Sequence, residues 1–154
     1  MSLFDEPSIS RQWVLRRLQQ ALTTDLAAGA FQRGLSRSCR RADRGLLSQL
    51  AEAAETRADA VREMITDEGG IPYQSIGLAR ACSRLGGTIL GPLAIAWRPG
   101  LRLLAEHTLQ EYDALAAQVS TAPGISDELA PRARPLLASA RNAHDAINGR
   151  SGPR

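Results

Sequence analysis

The stretch from Arg44 to Thr66, RGLLSQLAEAAETRADAVREMIT, is the longest uninterrupted helical pattern in the chain, and it limits what the rest can fold into. Leu47, Leu50, Ala54, Ala58, Val61 and Ile65 recur at steps of three and four, and at about 3.6 residues per turn these positions line one face of a helix. An apolar face of that length has to be covered, so the stretch is expected to form one wall of a helical bundle. Composition limits what covers it. Hydrophobic residues make up 44% of the chain but aromatic residues only 4%, which leaves Leu, Ala, Val and Ile to fill the core, a mixture suited to close-packed helices. The expected class is all-α, and 154 residues suit a single domain over 1–154.

Three more helices are expected around this wall. Residues 1–9 read as a tail, and Ser8 or Ser10 then caps a first helix running to about Ser36. Its inner stripe holds Val14, Leu18, Ala21, Leu22, Asp25, Ala28, Gly29 and Gln32. Asp25 falls near the middle of that stripe, a carboxylate where an apolar residue is expected. Asp43 is the expected N-cap of the second helix, which pairs with the first as an antiparallel hairpin and ends at Gly69-Gly70 ahead of Pro72.

Residues 69–98 are too numerous and too apolar for a turn between adjacent helices. They predict a crossover to the far end of the bundle, with a short amphipathic helix over 76–85 and an apolar stretch from Thr88 to Trp97. Pro99 opens the third helix, which runs to about Ser120 with Leu101, Leu104, Ala105, Thr108, Leu109, Tyr112, Leu115, Ala116 and Val119 inward. The fourth starts at Ser126 and is expected to kink at Pro135, with Leu129, Ala133, Leu136, Ala140, His144 and Ile147 inward. Asn148-Gly149 closes it, and 149–154 read as a second tail.

The net charge is +3 and all nineteen cationic residues are arginine. They are interspersed with sixteen acids rather than gathered into a stripe, so no nucleic-acid role is expected. Arg37, Arg40, Arg41 and Arg44 form the one local basic cluster, which reads as solvated surface or a contact for an acidic partner. Cys39 and Cys82 have neither disulfide nor zinc spacing, and the N-terminal segment lacks the basic start of a secretory signal, so a cytoplasmic setting is expected.

The segments LTTDLAAGAFQRGL, QLAEAAETRADAVREMITDEGG, LLAEHTLQEYDALAA and ASARNAHDAI, with the long crossover between the second and third, resemble the ferritin-like superfamily. The likeness is to bacterial ferritin-like four-helix bundle proteins of unknown function, and it spans residues 11 to 148. The Pro-containing apolar crossover is also similar to that of the demethoxyubiquinone hydroxylases, membrane-surface di-iron enzymes of the same superfamily. The resemblance implies two antiparallel hairpins. In the di-iron members, two helices each give one inward Glu and the other two each give Glu-x-x-His.

Carried onto this chain, those positions offer Asp25 on the first helix and His144 on the fourth, with Glu55 and Glu111 reachable only by a shifted register. Arg141 stands three residues before His144, Ala105, Thr108 and Tyr112 line the third helix, and Arg57 lies near the second stripe. No metal cofactor is therefore expected, with iron held by Asp25, Glu55, Glu111 and His144 as the alternative. What remains reads as a buried polar layer of Asp25, Arg57, Tyr112 and His144, in which carboxylate, guanidinium, phenol and imidazole satisfy one another.

The expected function is a non-enzymatic bundle with a degenerate metal centre, acting through a homo-oligomer or a protein partner. One alternative is a di-iron-type oxidoreductase or ferroxidase. A further one is a bundle that docks on a membrane surface through the crossover. Ile89, Leu90, Leu93, Ile95 and Trp97 are the candidate interface residues, with Trp97 and Arg98 at a membrane boundary in that last case.

Overall fold

The apolar stripe after Arg44 lies inside a helix in the computed structural model of the chain, which describes residues 9–73, 97–122 and 126–149. The described residues form four helices and no strand: α1 (Ile9–Ser38), α2 (Arg41–Asp67), α3 (Trp97–Thr121) and α4 (Ser126–Gly149). The expected crossover helix over 76–85, the interface residues Ile89, Leu90, Leu93 and Ile95, and most of both tails lie outside the described residues. Among the described residues no helix is long and apolar enough to cross a membrane.

α1 and α2 bury the stripes their spacing defines, α3 and α4 most of theirs, with Leu104, Leu109, Ala116 and His144 only half-buried. On α2 the buried set includes Leu47, Leu50, Ala54, Arg57, Ala58, Val61 and Ile65. On α1 it includes Val14, Leu18, Ala21, Leu22, Asp25 and Ala28. The core is in two parts. One cluster joins Leu18, Leu22, Val61, Ile65, Leu115 and Leu129 with their neighbours, and the other joins Leu35, Leu47, Leu50, Trp97, Leu101 and Ile147. Between them the inner positions are small or polar: Gly29 and Gln32 on α1, Ala51 and Ala54 on α2, and Thr108 on α3.

α1 packs along α2, and α3 along α4, as two hairpins. The hairpins meet through α1 against α3 and α2 against α4. Ion pairs fix the helix directions. Arg98 at the start of α3 lies 3.5 Å from Asp43 at the start of α2, so these two helices begin at the same end of the bundle. Arg132 near the start of α4 lies 2.7 Å from Asp67, the last residue of α2, at the other end. α2 thus finishes at one end and α3 begins at the opposite one, separated along α2, whose 27 residues extend about 40 Å.

The helix ends depart from expectation at two points: α3 begins at Trp97, two residues ahead of Pro99, and α2 lacks its expected cap. Asp43 does not cap α2, which starts earlier, after Arg40, and Arg40 gives no side-chain cap. The Asp43 carboxylate is directed instead to Arg98, a tertiary partner that competes with the local cap. The far end of α2 closes at glycine: Gly69 takes φ +80°, and the Gly70 N–H returns to the Ile65 carbonyl at 2.8 Å. A Cβ on Gly70 would stand 2.9 Å from Ile65 Cγ2 and 3.1 Å from Leu15 Cδ2, so the exit of α2 packs this closely on α1 only with glycine. Pro131 and Pro135 both lie within α4, which continues through them to Gly149.

Candidate functional site

At the inner margin of the first core cluster, each of the four helices contributes one polar side chain to a single hydrogen-bonded centre. The Arg57 guanidinium donates to Asp25 Oδ1 from Nε at 3.1 Å and from Nη2 at 2.8 Å, and its Nη1 donates to Ser139 Oγ at 3.1 Å. The Tyr112 hydroxyl donates to Asp25 Oδ2, and the guanidinium stands 5.9 Å from the Tyr112 ring centroid. Asp25 and Tyr112 are all but inaccessible to solvent and Arg57 is 3% exposed.

The local sequence explains each placement. Asp25 follows Leu18, Ala21 and Leu22 on the α1 stripe, and Arg57 lies one turn after Ala54 and one before Val61. Neither can turn outward without turning its helix. Burial pushes the Asp25 carboxyl above its ordinary value, against the charge of Arg57 and the hydrogen bonds from Arg57 and Tyr112. Burial and the neighbouring Asp25 charge push the Tyr112 phenol well up, so it stays protonated and serves as a donor at any working pH. Tyr112→Phe leaves Asp25 Oδ2 without its donor; a loss of about 1–3 kcal/mol is expected from denaturant unfolding.

The residues expected to act together are not all brought together. Asp25, Arg57 and Tyr112 meet. His144 does not join them: its ring nitrogens contact the Asn148 amide at 3.0 and 3.3 Å and lie 3.6 Å from the Asp145 carboxylate, with the side chain 28% exposed. At 100° per residue His144 falls about 60° from the Leu129–Ile147 line of α4, which carries it to the flank. Ser139 takes the fourth place, and sequence reasoning did not single it out. It sits on the other flank of the α4 stripe, where only a side chain as long as arginine reaches it.

Glu55 faces the outer groove between α1 and α2, forked with Arg33 at 3.0 Å on each oxygen. Glu111 lies 3.8 Å from Arg17. Arg141, three residues before His144, is exposed and 3.5 Å from Asp113. Among the described residues no three His, Cys, Asp or Glu side chains converge. The donor set at the centre does not fit a di-iron site. Asp25 is the one acid on the buried face of the described helices, both its oxygens are engaged, and the guanidinium stands where a cation would have to be.

The Arg33–Glu55 pair carries a pH signature. Its hydrogen bond and charge hold the Glu55 carboxyl below its ordinary value. The contribution of the pair is therefore present above the unfolded-state value of about 4.3 and is lost as pH falls through the lower folded-state value. Both side chains are more than a third exposed, so the effect is small, about 0.2–1 kcal/mol. In thermal melts, Glu55→Gln is expected to differ from the parent chain at neutral pH and to match it once Glu55 is protonated.

Trp97 is not available as an interface residue. It is 4% exposed and packs in the second core cluster with Leu46, Leu47 and Leu101. Among the described residues the large apolar side chains that are exposed are Trp13, Ile71, Tyr73 and Leu103. Gln19 holds two of them from α1, donating from Nε2 to the Ile71 carbonyl at 2.7 Å and accepting from the Tyr73 N–H at 3.2 Å.

Comparison with family models, curated proteins and solved structures gives no match to this chain.

Proposed function

We propose that the chain is a ferritin-like four-helix bundle that carries out no chemistry of its own and acts by binding, either to a second copy of itself or to a protein partner. The observation that carries this reading is the Arg57 guanidinium in the centre of the bundle, hydrogen-bonded to the one buried acid of the described core. A carboxylate so engaged is not available as a base, a nucleophile or a metal ligand. The ferritin-like part of the reading is supported by the packing of α1 on α3 and α2 on α4 and by the opposite ends at which α2 finishes and α3 begins.

The binding part is supported by Trp13, Ile71 and Tyr73, which are 50%, 82% and 59% exposed near the start of α1 and the exit of α2. Gln19 pins the latter two, so the apolar surface is presented in a fixed shape. A reducing cytoplasm belongs to the same reading, and Cys39, a buried thiol whose pKa burial pushes up, is compatible with it.

Sedimentation of the full chain over a range of concentrations tests the reading. A dimer or larger assembly that is weakened by Trp13→Ser with Tyr73→Ser is the expected result. A strict monomer that consumes oxygen in the presence of ferrous iron would overturn it.

A further inference from the structure

The cluster Arg37, Arg40, Arg41 and Arg44 is larger in space than in sequence. Because α3 begins beside α2, with Arg98 3.5 Å from Asp43, the exposed Arg98 and Arg102 join the same end of the bundle. All six side chains are exposed, and Asp43 is the only carboxylate that any of them pairs with among the described residues. The opposite end is balanced, with Arg11 on Glu68 and Arg132 on Asp67. Two helices start and two finish at the arginine end, so their dipoles offset one another and the positive potential there comes from the side chains. Asp145, near the end of α4, is the other described carboxylate on this side, and neither residues 74–96, which precede α3 in sequence, nor residues 150–154 contain aspartate or glutamate.

We propose that this end of the bundle is a docking surface for an anionic membrane. Three observations favour a bilayer over other polyanions. First, Leu103, next to Arg102 on α3, is 68% exposed and supplies an apolar group to enter the headgroup boundary beside the charges. Second, the exposed aromatics among the described residues, Trp13 and Tyr73, belong to the other end, so the described arginine end has no stacking platform for single-stranded nucleic acid. Third, of the six arginines Arg37 alone lines any of the three described clefts, so none of those grooves would hold an acidic peptide against the cluster. Guanidinium groups suit the surface well because each can fork onto phosphate oxygens.

Vesicle flotation of the full chain tests the proposal. The chain should float with phosphatidylcholine vesicles containing about 30 mol% phosphatidylglycerol, stay behind with phosphatidylcholine alone, and be released by roughly 0.5 M salt. Each arginine removed should lower the partition coefficient on the order of fivefold, so Arg40→Gln with Arg41→Gln should lose most of the binding. Arg16→Gln with Arg134→Gln, an equal change of charge away from this end, should lose little. Thermal melts of both pairs check that the bundle is intact, as exposed arginine-to-glutamine changes should leave it. Equal losses for the two pairs, no flotation at low salt, or binding to an oligonucleotide or a polyglutamate in preference to the vesicles would overturn the proposal.

Discussion

Arg57→Ala is expected to lower the unfolding free energy by about 3–5 kcal/mol, the largest effect of any single exchange at the centre of this bundle. In a chain of 154 residues that corresponds to a fall in melting temperature on the order of 10 °C. The argument rests on what is left behind. Asp25 would keep a fully buried carboxylate with only the Tyr112 hydroxyl to satisfy it, and Ser139 would lose its donor as well. Arg57→Lys should recover only part of the loss, since a single ammonium cannot fork onto Asp25 and reach Ser139 together. A loss under about 1 kcal/mol for the alanine variant would mean that water or another cation replaces the guanidinium, and that the centre is open.

Removing both charges should do far less harm than removing either. Asp25→Leu with Arg57→Met replaces the pair by apolar side chains, and unfolding in denaturant is expected to return to within about 1 kcal/mol of the parent chain or to exceed it by about 1–4 kcal/mol. The reason is that each charge is costly to bury and is offset mainly by the other. With each single exchange costing about 3–5 kcal/mol and the double near zero, the double-mutant cycle should show a coupling of about 6 kcal/mol or more. Additive losses would show that each residue is held by separate neighbours. If the double variant is stable but binds a hydrophobic dye and loses sharp side-chain NMR signals, the ion pair fixes helix register rather than stability.

Much of the bundle was legible because its helices obey one periodicity. The stripes of α1 and α2 were readable residue by residue and that of α3 in most positions, with Leu104, Leu109 and Ala116 only half-buried, and Asp25, Arg57 and Tyr112 stood out as polar groups on apolar faces. What escaped was set by tertiary partners. Asp43 has the local chemistry of an N-cap, yet its carboxylate goes to Arg98, more than fifty residues away in sequence. His144 follows the three-and-four spacing of α4, but the small angular excess accumulated along that helix moves it to the flank, where Asn148 receives it. Ser139 carried no signal of its own. Its role depends on the reach of Arg57 from a different helix, which spacing within α4 does not encode. The arginine end was half visible: Arg37 to Arg44 lie together in sequence, whereas Arg98 and Arg102 join them only because α3 begins beside the start of α2.

In the ferritin-like reading proposed above, the Asp25–Arg57 ion pair takes the place of a metal centre, and iron stoichiometry tests this directly. The protein would be purified without chelator, incubated with ferrous iron, freed of unbound metal and assayed for iron per chain. Well under one iron per chain, unchanged by Asp25→Ala or His144→Ala, is the result this account predicts. About two iron atoms per chain, lost in either variant, would contradict it, because a dinuclear site cannot form around Asp25 while Arg57 holds it.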